Sequence, residues 1–243
     1  MTIGCAIIAY NEEHIIEKAL RSVTFCDEIV VVDSGSSDNT VSIAKKYNSR
    51  VYHKDWEGYG KQKNFAISKL STDWVLSIDA DEVVTQELAN EIQNILKKTT
   101  QDAFLINRQL VFMGKPLKFG GAYPDYNLRL FKRYMRFEES DVHEKIKQKG
   151  KKLKNKILHY SYDNLSDYMD KFNKYTSLIA KVHHSKGKRV SAFFPFFRMQ
   201  YEFFKRFFLQ LAFLDGYKGS TYALLSSFYA FVKYAKLIEL NKK

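Results

Sequence analysis

Nowhere in the 243 residues is there an uninterrupted uncharged apolar stretch of about 18 or more, the length a membrane-crossing helix requires. The first residues enter an apolar run almost at once. They show no basic segment ahead of a cleavable hydrophobic one, so no signal peptide is expected. Only two cysteines are present, Cys5 and Cys26. Two are too few for a disulfide framework, and their spacing does not suit a metal site, so reduced thiols in a cytoplasmic protein are expected. Also missing are internal repeats, low-complexity linkers, zinc-finger spacing and any RNA-recognition signature. After the first apolar run stands Tyr10-Asn11-Glu12-Glu13 rather than a glycine-rich loop. That excludes the G-x-G-x-x-G of dinucleotide enzymes and the G-x-x-x-x-G-K-[ST] phosphate loop, and it argues against a sugar nucleotidyltransferase.

What is present is a globular composition, 45% hydrophobic, with a lopsided charge. Residues 1–100 hold 11 basic and 15 acidic side chains, net −4, and residues 101–243 hold 28 and 12, net +16. A basic second part favours an anionic partner, and without a nucleic-acid motif the candidates are phosphates or an acidic membrane.

Residues 3–10, IGCAIIAY, form a continuous apolar run of the kind that fits a strand buried on both faces. A helix is expected from Asn11 through Ser22, with Ile15, Ile16, Ala19, Leu20 and Val23 at helical spacing. Strands are expected at Glu28–Asp33, at Arg50–His53 and at Trp74–Asp79. Helices are expected from the Ser36-Ser37-Asp38 cap to Tyr47, over Gly60–Leu70 and over Thr85–Lys98. Alternation of this kind predicts an α/β fold with a doubly wound, mostly parallel sheet flanked by helices, and ligands on such sheets bind at the carboxyl ends of the strands. From 101 to 160 the pattern is mixed and strand-rich, with a lysine-dense Lys145–Lys156 segment that reads as a solvated turn. From Asn164 onward the chain reads as a helical C-terminal extension. The expected organisation is a catalytic region at 1–160, subdivided at residue 100, and a helical region at 161–243.

Two carboxylates collect where a ligand would sit. Asp79-Ala80-Asp81 follows an apolar strand, and two carboxylates two residues apart can converge on one hard cation and a phosphate. Asp33 ends the second strand, where a carboxylate can take hydrogen bonds from a base or ribose, whereas Asp38 reads as a helix cap. Arg129 and Arg133 could fork a diphosphate or an acceptor phosphate, or bridge the core.

In order along the chain, AIIAYNEEHII, VVDSGSSDNT, GKQKNFAI and SIDADE resemble the N-terminal half of family-two inverting glycosyltransferases, which have the GT-A fold. GAYPDYNLRLFKR, VHEKI, ILHYS and the Phe-rich basic end look like a narrower group. These are the bacterial lipopolysaccharide inner-core beta-1,4-glucosyltransferases, which act next to a heptose. The resemblance implies a UDP-sugar donor, a lipid-linked saccharide acceptor and a divalent metal, Mg2+ or Mn2+. It implies that Ala9, Tyr10, Glu12 and Asp33 line the nucleoside pocket and that Lys63 and Asn64 approach the base or diphosphate. Asp79 would contact the ribose side, Arg129 would join the donor site, and Asp81 would hold the metal. In many relatives a Glu-Asp pair supplies the catalytic base. His143-Glu144 stands at that place here, so Glu144 is the expected base, Asp125 the competitor, and His143 a further metal or phosphate candidate against a structural histidine. A non-catalytic scaffold of the same fold, or transfer to another cell-surface glycan, is the alternative.

The segment FFPFFRMQYEFFKRFFLQLAFL, residues 193–214, is apolar nearly all round and broken by Arg198, Lys205 and Arg206. It reads as an interfacial helix, aromatics among the headgroups and cations on anionic lipid, rather than as a core helix. The expected place of action is the cytoplasmic face of a bacterial inner membrane, by peripheral attachment.

Overall fold

The computed structural model describes residues 1–138, 146, 148–162 and 164–242. Within them the chain divides into two compact units. One comprises Met1–Arg108 with Asp125–Tyr160, the other Gln109–Pro124 with Ser161–Lys243.

The first unit is a sheet flanked by helices. Its elements are β1 (Ile3–Ala9), α1 (Ile16–Ser22), β2 (Glu28–Asp33), α2 (Thr40–Lys45), β3 (Arg50–His53), α3 (Tyr59–Ser68), β4 (Trp74–Asp79), β5 (Glu82–Val84) and α4 (Gln86–Leu96). There follow β6 (Ala103–Phe112), which runs on into the second unit, then β8 (Tyr126–Lys132) and β9 (Lys151–His159), with the short β7 (Lys115–Pro116) in the second unit. The strand order is β3-β2-β1-β4-β8-β6-β9-β5, and β7 pairs with β6 off this path. β1 pairs in parallel with β2 and β4, and β2 with β3. β8 is antiparallel to β4 and β6, and β5 is antiparallel to β9.

The parallel half forms because its strands are apolar on both faces. Every residue of β1 is buried, as are Ile29 to Asp33 of β2 and Trp74 to Ile78 of β4. Each fully buried Val or Ile contributes about 1.5–3 kcal/mol relative to exposure. One layer packs Ile7, Leu76 and Val31 against Ile16 and Leu20 of α1, and the other packs Val30, Val32 and Val75 against Ala66 and Ile67 of α3. The register sets Ala9 opposite Asp33 and Ile8 opposite Asp79, so three strands end along one edge.

Three local expectations are corrected. The first helix begins at Ile16 rather than Asn11, because Asn11 adopts a left-handed φ of 54° and the Asn11–Glu13 backbone is bonded to the next loop. The lysine-dense segment is not all turn. From Lys151 it is strand β9, with Leu153 and Ile157 facing the core and Lys151, Lys152 and Lys154 in solvent. β5 was not expected, since three residues directly after an acidic turn are too short to show a period.

The second unit contains α5 (Leu165–Ser185), α6 (Phe194–Phe204), a π-turn (Lys205–Leu209), a 3-10 turn (Ala212–Asp215) and α7 (Gly216–Asn241). Phe112, Leu117, Tyr168 and Phe172 form its core. Asp215 is buried and accepts the backbone N–H groups of Lys118 and Phe119 at 2.7 and 2.9 Å. A methyl group at Gly219 would fall on the Ala212 carbonyl oxygen and the Asp215 side chain. Gly219→Ala should therefore cost about 1–3 kcal/mol by overpacking, read by urea denaturation. An unchanged midpoint would show that the turn yields freely.

Candidate active site

The edge where β1, β2 and β4 end is built in two parts. The first laces the loops after β1 and β2. Asn11 donates its N–H to Ser36 Oγ and accepts from the Ser37 N–H, both at 2.8 Å. The Glu12 N–H bonds Thr40 Oγ1 at 2.8 Å, and the Glu13 N–H bonds Asp38 Oδ2 at 3.1 Å. Asn39 donates through both its backbone and its amide to Glu13. The Asn-Glu-Glu and Ser-Ser-Asp-Asn-Thr segments are thus complementary halves of one brace. Asp38 also accepts the Thr40 N–H, as expected of a helix-start residue, though Asn39 occupies the cap position.

Asp33 is buried beneath this brace. Its carboxylate accepts the N–H groups of Gly35 and Ser36 at 2.9 Å and the Ser36 hydroxyl at 2.5 Å, and Gly35 supplies the φ of 94° that the turn needs. Ala9 is buried beside it, whereas Tyr10 stands exposed on the edge.

The second part is an alternating charge cluster. Lys63 Nζ lies 2.9 Å from Asp79 Oδ1, and Arg129 Nη2 lies 2.9 Å from Asp79 Oδ2. Arg129 Nη2 also reaches Glu82 Oε1 at 2.5 Å, and the other Glu82 oxygen accepts the Asp79 N–H at 3.0 Å. Arg108 bonds Asp125 at 2.9 Å and lies 3.6 Å from Glu82. Burial by itself would raise the Asp79 carboxyl. Lys63 and Arg129 outweigh it and hold Asp79 well below the usual carboxylate range. At Glu82 burial wins over Arg129, and with the Asp79 charge alongside, the carboxyl is pushed up.

Asp81 points elsewhere. The β5–β9 register sets His159 opposite Glu82, and the Tyr160 N–H bonds the Asp81 carbonyl at 2.8 Å. This brings His159 Nε2 to 3.1 Å from Asp81 Oδ2. Burial lowers the basicity of His159, but the hydrogen bond and charge of Asp81 prevail and raise it. The two carboxylates of Asp79-Ala80-Asp81 therefore have different surroundings. Asp79 is enclosed by two cations, and Asp81 lies against the His159 imidazole.

α3 ties the two parts together through three consecutive side chains. The buried Gln62 amide donates to Ser34 Oγ and to the carbonyls of Lys54 and Asp55. Lys63 takes Asp79, and Asn64 brackets the backbone of Phe137 through both its amide atoms, at 2.8 and 2.9 Å. Arg133 lies apart from the cluster, with Nη1 3.4 Å from the Leu70 carbonyl. Glu144 and His143 lie outside the described residues. Sequence reasoning gave no role to Glu82, Arg108 or His159. A buried glutamate directly after the acidic turn, an arginine inside the apolar strand AFLINRQLVF and a histidine at the end of KILHYS were the available signals.

Comparison with known proteins places this edge within a known family. The model of the family described as glycosyl transferase family 2 matches residues 5–161, which hold the brace, the charge cluster and the Asp81–His159 pair. The chain belongs to glycosyl transferase family 2. It is 35% identical to an uncharacterised glycosyltransferase of Rickettsia typhi, over 99% of this chain and 88% of that protein. It is 29% identical to LpsC, a lipopolysaccharide core biosynthesis glycosyltransferase of Rhizobium meliloti, over 98% of this chain and 93% of LpsC. Among solved structures, residues 1–349 of TarS of S. aureus in complex with UDP-GlcNAc align with all of this chain and 92% of that one, at 15% identity and a TM-score of 0.49. The mixed sheet, parallel from β3 to β4 and completed by antiparallel strands, is the α/β architecture expected of the family.

Proposed function

We propose that this glycosyltransferase moves a hexose, glucose by resemblance, from a UDP-sugar to a lipopolysaccharide or lipooligosaccharide core acceptor with inversion. The observation that carries the reading is the divided acidic turn, with Asp79 neutralised by Lys63 and Arg129 while Asp81 faces His159. The near full-length likeness to LpsC supports the acceptor class. Residues 1–100 bind the donor and residues 101–160 the acceptor. Residues 161–243 form a helical region that associates with the cytoplasmic face of the inner membrane, where a lipid-linked acceptor lies.

Exposed Tyr10 offers an aromatic face to the nucleobase at the rim formed by Ala9, Glu12 and Asp33. Lys63 and Arg129 fix Asp79 as a carboxylate, an acceptor for ribose hydroxyls, and add positive potential toward a diphosphate. Asp81 and His159 fit Mg2+ or Mn2+. Two protein donors leave positions for water and for the donor's phosphates, and no group of three or more His, Cys, Asp or Glu forms a larger cage among the described residues. His143 is a further ligand candidate. An ion held there by Asp81 and His159 would supply positive charge against the leaving diphosphate.

Inversion needs one carboxylate to take the acceptor proton during in-line attack. Asp125 is engaged by Arg108 through both Nε and Nη2, which supports Glu144 as the base. Glu144→Gln should lower transfer to a heptose-containing core lipid by about 10²–10⁴-fold with UDP-sugar affinity retained. Asp125→Asn should cost less than about tenfold. The reverse ranking would place the base at Asp125.

A further inference from the structure

The π-turn after α6 leaves an unusual surface. α6 and α7 pack through aromatic pairs, Phe196 on Phe231 at 5.0 Å and Phe194 on Tyr234 at 4.8 Å. That contact uses one side of α6. On another side, Phe193, Phe197, Tyr201, Phe204 and Phe208 recur at three- and four-residue steps and are 72, 68, 55, 54 and 50% exposed. Side chains at this spacing lie in one stripe along the helix. The stripe runs into the turn that follows, where Leu209, Leu214 and Tyr217 are more than half exposed. A continuous apolar surface of this kind marks an interaction site on a water-soluble domain.

The charges around the stripe specify its partner. From Leu165 to Asn241, the span of α5 to α7, there are twelve Lys and Arg side chains and five acidic ones, Asp167, Asp170, Glu202, Asp215 and Glu239. The two acids nearest the stripe in sequence, Glu202 and Asp215, are turned inward. Asp215 is buried on the Lys118 and Phe119 amides, and Glu202 lies between Arg198 at 2.6 Å and Arg206 at 3.5 Å. The charges exposed beside the stripe in sequence are therefore cationic. Exposed Lys186 and Arg189 stand in the loop just before Phe193. A second copy of this chain would bring cation against cation, and an acidic partner of ordinary polarity would leave the phenylalanines wet. No described helix is long and apolar enough to cross a membrane.

We propose that the Phe193–Phe208 stripe and the turn after it are the surface by which this protein seats on anionic phospholipid, aromatics among the acyl–headgroup boundary and Lys186 and Arg189 on lipid phosphates. The proposal rests on the reading of a lipid-linked acceptor and goes beyond it by naming the surface and the lipid charge. Docking there concentrates the enzyme in the plane where such an acceptor lies.

The test is flotation of the full chain with phosphatidylcholine vesicles, with and without phosphatidylglycerol. Wild type should bind the anionic vesicles at low salt and release at high salt. Phe197→Glu with Phe204→Glu should weaken that binding about tenfold or more, with circular dichroism and UDP-sugar hydrolysis in solution unchanged. Lys186→Glu with Arg189→Glu should reduce the preference for anionic over neutral vesicles. Failure of wild type to bind at any salt, or undiminished binding by the phenylalanine variant, overturns the proposal. So does a wild-type dimer in size-exclusion chromatography that the phenylalanine variant dissolves. Vesicle binding without UDP-sugar turnover would leave this surface standing and sink the transferase reading.

Discussion

Asp81→Ala will lower UDP-sugar turnover by about 10³-fold or more while leaving the thermal midpoint nearly unchanged. The contrast follows from where Asp81 sits. Its carboxylate contacts the His159 ring at the end of β9 at 3.1 Å, and among the described residues its loss orphans no buried cation of the Lys63–Arg129 cluster. What it removes is one of the two side chains proposed to hold a divalent ion. His159→Ala should weaken Mn2+ binding by about tenfold or more, measured by titration calorimetry in the presence of UDP. If Asp81→Ala kept full activity with Mn2+ or Mg2+, the divided turn would have to be reassigned and metal dependence dropped. Asp79→Ala should behave differently, because it removes the carboxylate that two buried cations, Lys63 and Arg129, share. Stability and donor affinity should fall together.

The difference between these neighbouring aspartates also shows how far the sequence could be read. EIVVVD and WVLSID announce buried strands because apolar residues on both faces have no other stable place, and their last acids fall on the binding edge. Asp-x-Asp was legible as a motif, but its division of labour was not. That division depends on Lys63 from α3, Arg129 from β8 and His159 from β9, which meet only through the sheet order. Arg129 stood open between a diphosphate fork and a core bridge, and the structure makes it a bridge between Asp79 and Glu82. Asp33 looked like a bare carboxylate at a strand end. Nothing local reveals that Gly35 and Ser36 turn back to donate to it. The Asn11–Glu13 brace was misread as the opening of a helix, since a glutamate pair before an apolar helical pattern satisfies the usual start signal. Its tertiary partner, the Ser36–Thr40 loop, outbid that local preference.

Arg129→Met will destabilise the fold by about 3–5 kcal/mol, the largest stability effect in the first unit. Arg129 is buried, and its guanidinium stands between two carboxylates, one of them wholly inaccessible. Without it, Asp79 keeps Lys63, but Glu82 keeps the Asp79 N–H and, for positive charge, the more distant Arg108 at 3.6 Å and the field of His159. The methionine fills similar volume, so the loss measures charge rather than packing. Adding Glu82→Gln should recover part of it, because the added substitution removes the charge left uncompensated, and that non-additivity is the signature of a coupled cluster. The pH dependence has a defined sign. A depressed Asp79 contributes stability above its unfolded pKa of about 3.9, and that contribution is lost as the pH falls through the folded value. The raised Glu82 works the other way, contributing below about 4.3 and losing ground as the pH rises through its folded value. Arg129 strengthens the first and restrains the second. The gap between wild type and Arg129→Met should therefore be widest near neutral pH and narrow as the carboxyls are protonated in acid, followed by urea denaturation across that range. A gap that stayed constant with pH would mean that Arg129 acts through packing and that the charge cluster contributes little to holding the Asp79 turn.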